Sequence, residues 1–167
     1  MKTKRTTTRP PRAGFTMMEL VLVLLSLLII AAIAMPRFGK VQGRAQDSER
    51  TADLESVQAA LEAYKQDHGS YPAVEGWRGD AQNYGGSGYG ADGYVPGLVP
   101  DYLQELPRDP DPSYPGETEG YLYKSNGKDY KLIAHKTPSD FPTNHRFYDP
   151  KRRTWAYQVS SRGGRGW

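Results

Sequence analysis

The sequence predicts an α+β chain in which a long N-terminal α-helix, membrane-spanning in its first half, packs through its second half on a small antiparallel β-sheet. Three observations predict it. Leu20 to Met35 is a sixteen-residue apolar run broken only by Ser26. Leu54, Val57, Leu61 and Tyr64 recur at i, i+3, i+7 and i+10, the stripe of an amphipathic helix. Late in the chain, "GYLYKS", "DYKLIAHK" and "WAYQVSS" read as short strands, the first two flanking Asn126-Gly127, a hairpin signal.

The chain begins with Lys2, Lys4, Arg5, Arg9 and Arg12, five cations ahead of Gly14 with no acid among them. They account for more than the whole formal charge of +3, since the remainder carries 17 basic and 19 acidic residues. The positive bias thus belongs to a leader, and no nucleic-acid partner is predicted. The absence of cysteine excludes disulfides, a lipid-anchored cysteine and thiolate chemistry. Extended back to Phe15, the apolar run would form a helix of about 32 Å, enough for a hydrocarbon core of about 30 Å. The cationic leader then places the N-terminus in the cytoplasm and everything after Met35 on the far side.

The same pattern fits a cleaved secretory signal, with Ala32-Ile33-Ala34 as the cleavage site. Glu19 argues against it, because an ionised side chain in a span costs about 2.5–3.5 kcal/mol even on lenient insertion scales. A cut between Gly14 and Phe15 would create an ammonium at Phe15, roughly one helical turn from Glu19 or within reach of the Glu19 of a neighbouring subunit.

With those residues in view, "GFTMMELVLVLLSLLIIAAIAMP" resembles the class III signal and N-terminal helix of type IV pilins and type II secretion pseudopilins. The resemblance implies a pilin-like lollipop fold. It implies cleavage after Gly14 by a prepilin peptidase, N-methylation of Phe15, and a role for Glu19 in registering subunits during assembly. Pro36 matches the proline that such proteins place just past the apolar segment. The division expected is a cleaved leader at 1–14, a transmembrane and filament-core helix at 15–35, a continuation of that helix at 36–68, and a loop region and β-sheet head at 69–167.

Pro36, Gly39 and Gly43 predict a bend or melted turn after the apolar run. Helix resumes from Arg44 to Asp67 and stops at "DHGSYP", where Gly69 and Pro72 supply the signal. Asn83 to Gly116 is dense in glycine and proline and reads as loop, with a short helical turn near Val99 to Leu106. Its Tyr89, Tyr94, Val95, Leu98, Tyr102 and Leu106 are apolar enough to hold it against the helix.

No catalytic constellation is predicted. His68, His135 and His145 are scattered without ligand spacing, and "YGGSGYG" has no lysine beside it, so it reads as loop. No metal site and no cofactor is assigned. Major pseudopilins often hold a structural calcium, for which Asp109, Asp111 and Asp129 are the acids to consider. The basic tail "DPKRRTWAYQVSSRGGRGW" lacks the expected aspartate-glycine elements and favours solvated acids instead.

The function implied is that of a non-enzymatic structural subunit of an envelope-spanning pseudopilus or pilus, for type II secretion on the likeness of "DHGSYP" and "LPRDP" to major pseudopilins. Its partners would be other copies, other pilins or pseudopilins, the prepilin peptidase, and an inner-membrane assembly platform with its ATPase. It would be a single-pass inner-membrane protein with the head outside, and a periplasmic or extracellular filament once assembled. The alternatives are a type IV pilus subunit for adhesion, motility or DNA uptake, and a secreted binding or catalytic domain released from a signal peptide.

Overall fold

The computed structural model describes residues 14–167, without the side chains of residues 34–38 and 40, so the leader ahead of Gly14 lies outside the described residues. The chain divides into two compact units, one ending at Lys40 and one running from Val41 to Trp167. Helix α1 spans Met17–His68.

In the first unit the large apolar side chains from Phe15 to Ile33 are exposed, Leu28 at 65% and Ile30 at 62% among them. Among the described residues no helix is long and apolar enough to cross a membrane. The predicted span runs to Met35, beyond Ile33, the last side chain described in that stretch. α1 stays helical through Pro36, Gly39 and Gly43, where a melted turn had been expected as one outcome. A proline inside a helix forfeits one i→i−4 hydrogen bond, a loss that a helix can absorb when strong helix formers flank it.

In the second unit, α1 buries Leu54, Val57, Ala60 and Leu61, with Tyr64 half-buried beside them. The stripe read from the sequence is the face that meets the core. It packs on a four-stranded antiparallel sheet of order β1-β2-β3-β4, formed by Val74–Gly79, Gly120–Ser125, Tyr130–His135 and Ala156–Ser160. Strand alternation turns Tyr121, Tyr123, Leu132, Ala134, Tyr157 and Val159 toward the helix. Leu122, Ile133 and Ala156 face the other way and form a second small cluster with Ala81, flanked by half-buried Trp77 and Tyr84. Tyr94, Val95, Leu98 and Leu106 join the main core, so the Gly- and Pro-rich loop is held against it as its apolar residues predict. α1 ends as expected: Gly69 adopts φ +76°, and its N–H donates to the Lys65 carbonyl at 2.8 Å.

Three features differ from the sequence reading. β1 had not been predicted, because Gly76 interrupts "VEGWRG" with φ +72° and the pairing with β2 slips between Val74 and Arg78. The β2–β3 connection is a four-residue loop closed by the Ser125–Tyr130 pair, in place of a two-residue turn with two positive φ values. Only Gly127 has positive φ there, while the Asn126 side chain accepts hydrogen bonds from the amides of Lys128 and Asp129 at 3.0 and 2.8 Å. Finally, the helical turn expected near Val99 to Leu106 is a single hydrogen-bonded turn in which Tyr102 and Leu103 donate to the Leu98 carbonyl.

Candidate assembly site

Thr16 is the residue that precedes α1, and it shares a reciprocal cap with Glu19. The Glu19 amide donates to the Thr16 hydroxyl at 3.2 Å and to the Thr16 carbonyl at 3.1 Å. The Glu19 carboxylate reaches back to the Thr16 amide at 3.5 Å, the long limit of a hydrogen bond. This is a capping box, in which orphan donors of the first turn are satisfied by two side chains, and the acid also lies at the favourable end of the helix dipole. The sequence reading of Glu19 had missed this role, although Thr16-x-x-Glu19 directly before an apolar run carries its signature.

Glu19 is thus held at the amide one residue past the predicted cut. Gly14 is exposed with open space around it, and Phe15 is 77% exposed. The surroundings of Pro36 fall among the side chains not described. Within the run, the Ser26 hydroxyl donates to the Val23 carbonyl at 2.7 Å, so that polar atom is satisfied by its own helix.

The acids considered for calcium do not converge. Asp109 is buried and takes the Arg50 guanidinium through both carboxylate oxygens. Asp111 accepts from the amide and hydroxyl of Ser113, which hold its carboxyl below the usual range. Asp129 accepts from the Ser161 hydroxyl at 2.7 Å and the Gly163 amide at 3.0 Å, with the same effect on its carboxyl. Among the described residues no group of three or more His, Cys, Asp or Glu is placed to hold a metal ion. The histidines are likewise apart. His68 stacks on Tyr64, His145 stacks on Tyr157, and His135 meets the Thr118 carbonyl through Nδ1.

The basic tail has a structural anchor of its own. The Lys131 ammonium is fully buried and paired with the buried Asp149 carboxylate at 2.9 Å. It also donates to the carbonyls of Arg165 and Trp167, at 3.2 and 3.0 Å, and Arg152 donates to the same Trp167 carbonyl at 2.8 Å. Burial lowers the Lys131 pKa, and Asp149 works against that shift.

Type II secretion system core protein G of Pseudomonas aeruginosa is 31% identical over 67 residues, 40% of this chain and 47% of that protein. The protein of the same name from Aeromonas hydrophila is 27% identical over 109 residues, 59% of this chain and 67% of the relative. The type IV major pilin protein PilA of Myxococcus xanthus is 38% identical over 55 residues, 33% of this chain and 25% of the pilin. The chain spans less than half the length of the first curated relatives it matches. No protein-family profile matches it, and no solved structure does. At modest identity, the chain is similar to type II secretion core proteins G and to type IV pilins.

Proposed function

We propose that the chain is a structural subunit of an envelope-spanning pseudopilus serving type II protein secretion. The observation that carries this reading is the reciprocal Thr16–Glu19 cap at the start of a helix whose large apolar side chains are exposed from Met17 to Ile33. Exposed apolar surface on that scale calls for a lipid or protein cover, and a filament subunit uses both in turn. Before assembly, residues 15–35 anchor the protein in the inner membrane with the head outside. After assembly the same residues pack against those of other subunits, and Pro36 is the point at which the helix yields to do so.

Processing follows from the same site. Prepilin peptidase cuts after Gly14, Phe15 becomes the N-methylated first residue, and its ammonium pairs with the Glu19 carboxylate of a neighbour. The inner-membrane platform and its ATPase add the subunit to the growing base. Its work is mechanical rather than enzymatic. A type IV pilus subunit is the second reading, favoured by the similarity to a major pilin.

Glu19→Gln tests the pairing cleanly, because glutamine also serves in a capping box and preserves the helix start while removing the charge. Expressed with its assembly machinery, the variant is expected to reach the membrane and be cleaved normally, yet to give few sheared filaments by microscopy. Co-expressed wild type partly rescues it. Normal filament numbers from fully processed Glu19→Gln protein would remove the pairing mechanism, and the absence of filaments from wild type would remove the filament reading.

A further inference from the structure

We infer that successive heads dock on a second copy of this chain through a charge partition within the Val41–Trp167 unit, a surface that rests on the filament reading above and refines it. Residues 41–119, which hold the second half of α1, β1 and the long loop, carry 15 acidic and 5 basic residues, a formal −10. Residues 120–167, which hold β2, β3, β4 and the tail, carry 10 basic and 3 acidic residues, a formal +7. The overall charge of +3 conceals this opposition.

Both signs reach the surface. In the sheet half, Lys151, Arg153, Arg162 and Arg165 are exposed, and no acid occurs from Lys151 to Trp167. None of these four has an ion-pair partner among the described residues. Beside them, cations are already seated on indoles: Arg152 lies 4.8 Å from the Trp77 ring centroid, and Lys124 lies 5.3 Å from that of Trp167. In the helix-and-loop half, Glu49, Asp67, Glu75, Asp92, Asp101 and Glu117 are exposed and also without an ion-pair partner among the described residues. The two halves are therefore opposite in formal charge, and each exposes unpaired charges of its own majority sign.

A contact between unlike patches on identical chains is heterologous, and repeated without closure it generates a helical filament. The complementary charges steer encounter and fix register, and like-charged approaches are disfavoured. A second copy fits this surface better than a polyanion does. Nucleic acid or an acidic membrane would be attracted by the sheet half but repelled by a unit whose sum is −3.

Two full-length double variants test the inference. Arg162→Glu with Arg165→Glu lowers the sheet half from +7 to +3 and puts two acids into its acid-free tail, and Glu49→Lys with Asp101→Lys lifts the other half from −10 to −6. Each alone is expected to be processed normally while filament number falls about tenfold or more. Co-expressed, the two variants present unlike faces to each other, and filament number should return to at least half of wild type. Wild type gives a reading that needs no variant: its assembly from extracted mature protein should slow as salt rises from about 0.05 M to about 0.5 M, as screening shortens the Debye length. Wild-type filament numbers from either variant, loss that co-expression does not restore together with salt-insensitive assembly, or variants that lose only binding to anionic vesicles would each overturn the docking surface. Failure of wild type to form filaments would instead count against the filament reading itself.

Discussion

Arg50, on α1, grips Asp109 from the long loop in a bidentate ion pair, with Nε–Oδ2 at 2.8 Å and Nη2–Oδ1 at 2.6 Å. Both side chains are buried, and the third partner, Asp47, meets Nη1 at 2.9 Å while accepting the Ser139 amide. The guanidinium therefore ties the helix to the long loop, while Asp47 on the same helix holds the Ser139 loop. Removing the guanidinium leaves two buried carboxylates without their cation, so Arg50→Met is expected to cost about 3–5 kcal/mol. Asp109→Asn should cost less, because Asp47 still neutralises the arginine. Urea unfolding of both variants checks the order, and equal losses would mean that the two carboxylates act as one unit.

The fragment Val41–Trp167 is expected to fold on its own, because the main core draws only on residues within it. Leu61 is 0% exposed at the centre of the helix stripe. Its replacement by alanine should destabilise the fragment by about 2–5 kcal/mol through lost burial and the cavity left behind. A cooperative melt with that shift supports the packing. A fragment with no melting transition would show that residues before Val41 are required.

Stability should also respond to acid through Asp80. Burial pushes its carboxyl up to about 6, while the Tyr121 amide at 2.8 Å and the Tyr89 hydroxyl favour the ionised form. Burial likewise raises Asp53 to about 6. A carboxyl whose folded pKa lies above its unfolded value near 3.8 contributes most when protonated. That contribution is lost as pH rises through about 6. His135 acts in the opposite sense: burial lowers its pKa, so its contribution is lost as pH falls below about 6.5. The comparison that isolates Asp80 is the difference between parent and Asp80→Asn at pH 5 and pH 8. The asparagine variant should gain less stability, or lose more, on acidification than the parent does. Identical pH profiles would contradict the assignment.

What the sequence made legible were the features set by short spacings. The Leu54–Val57–Leu61–Tyr64 stripe, the Gly69 stop and the three later strands follow from periodicity and local backbone preference. β1 was hidden because a positive-φ glycine and a register slip erase its alternation. The Arg50–Asp109 pair joins residues 59 apart, and no local pattern announces such a partner. Lys131 was illegible for a related reason: an alternating strand suggests a solvated lysine, whereas the folded tail brings Asp149 and two carbonyls over it. At the candidate site, Glu19 stood out by its cost inside an apolar run, while its bond to Thr16 was written in the sequence as Thr-x-x-Glu.

The mature N-terminus tests the account most directly. Intact-mass analysis of the protein extracted from membranes, with peptide sequencing of its first residues, is expected to give a chain that begins at N-methylated Phe15 and retains the whole apolar helix. A chain beginning at Met35, cut after Ala34, would contradict the account, since it would remove Glu19, its cap and the helix through which subunits are proposed to assemble.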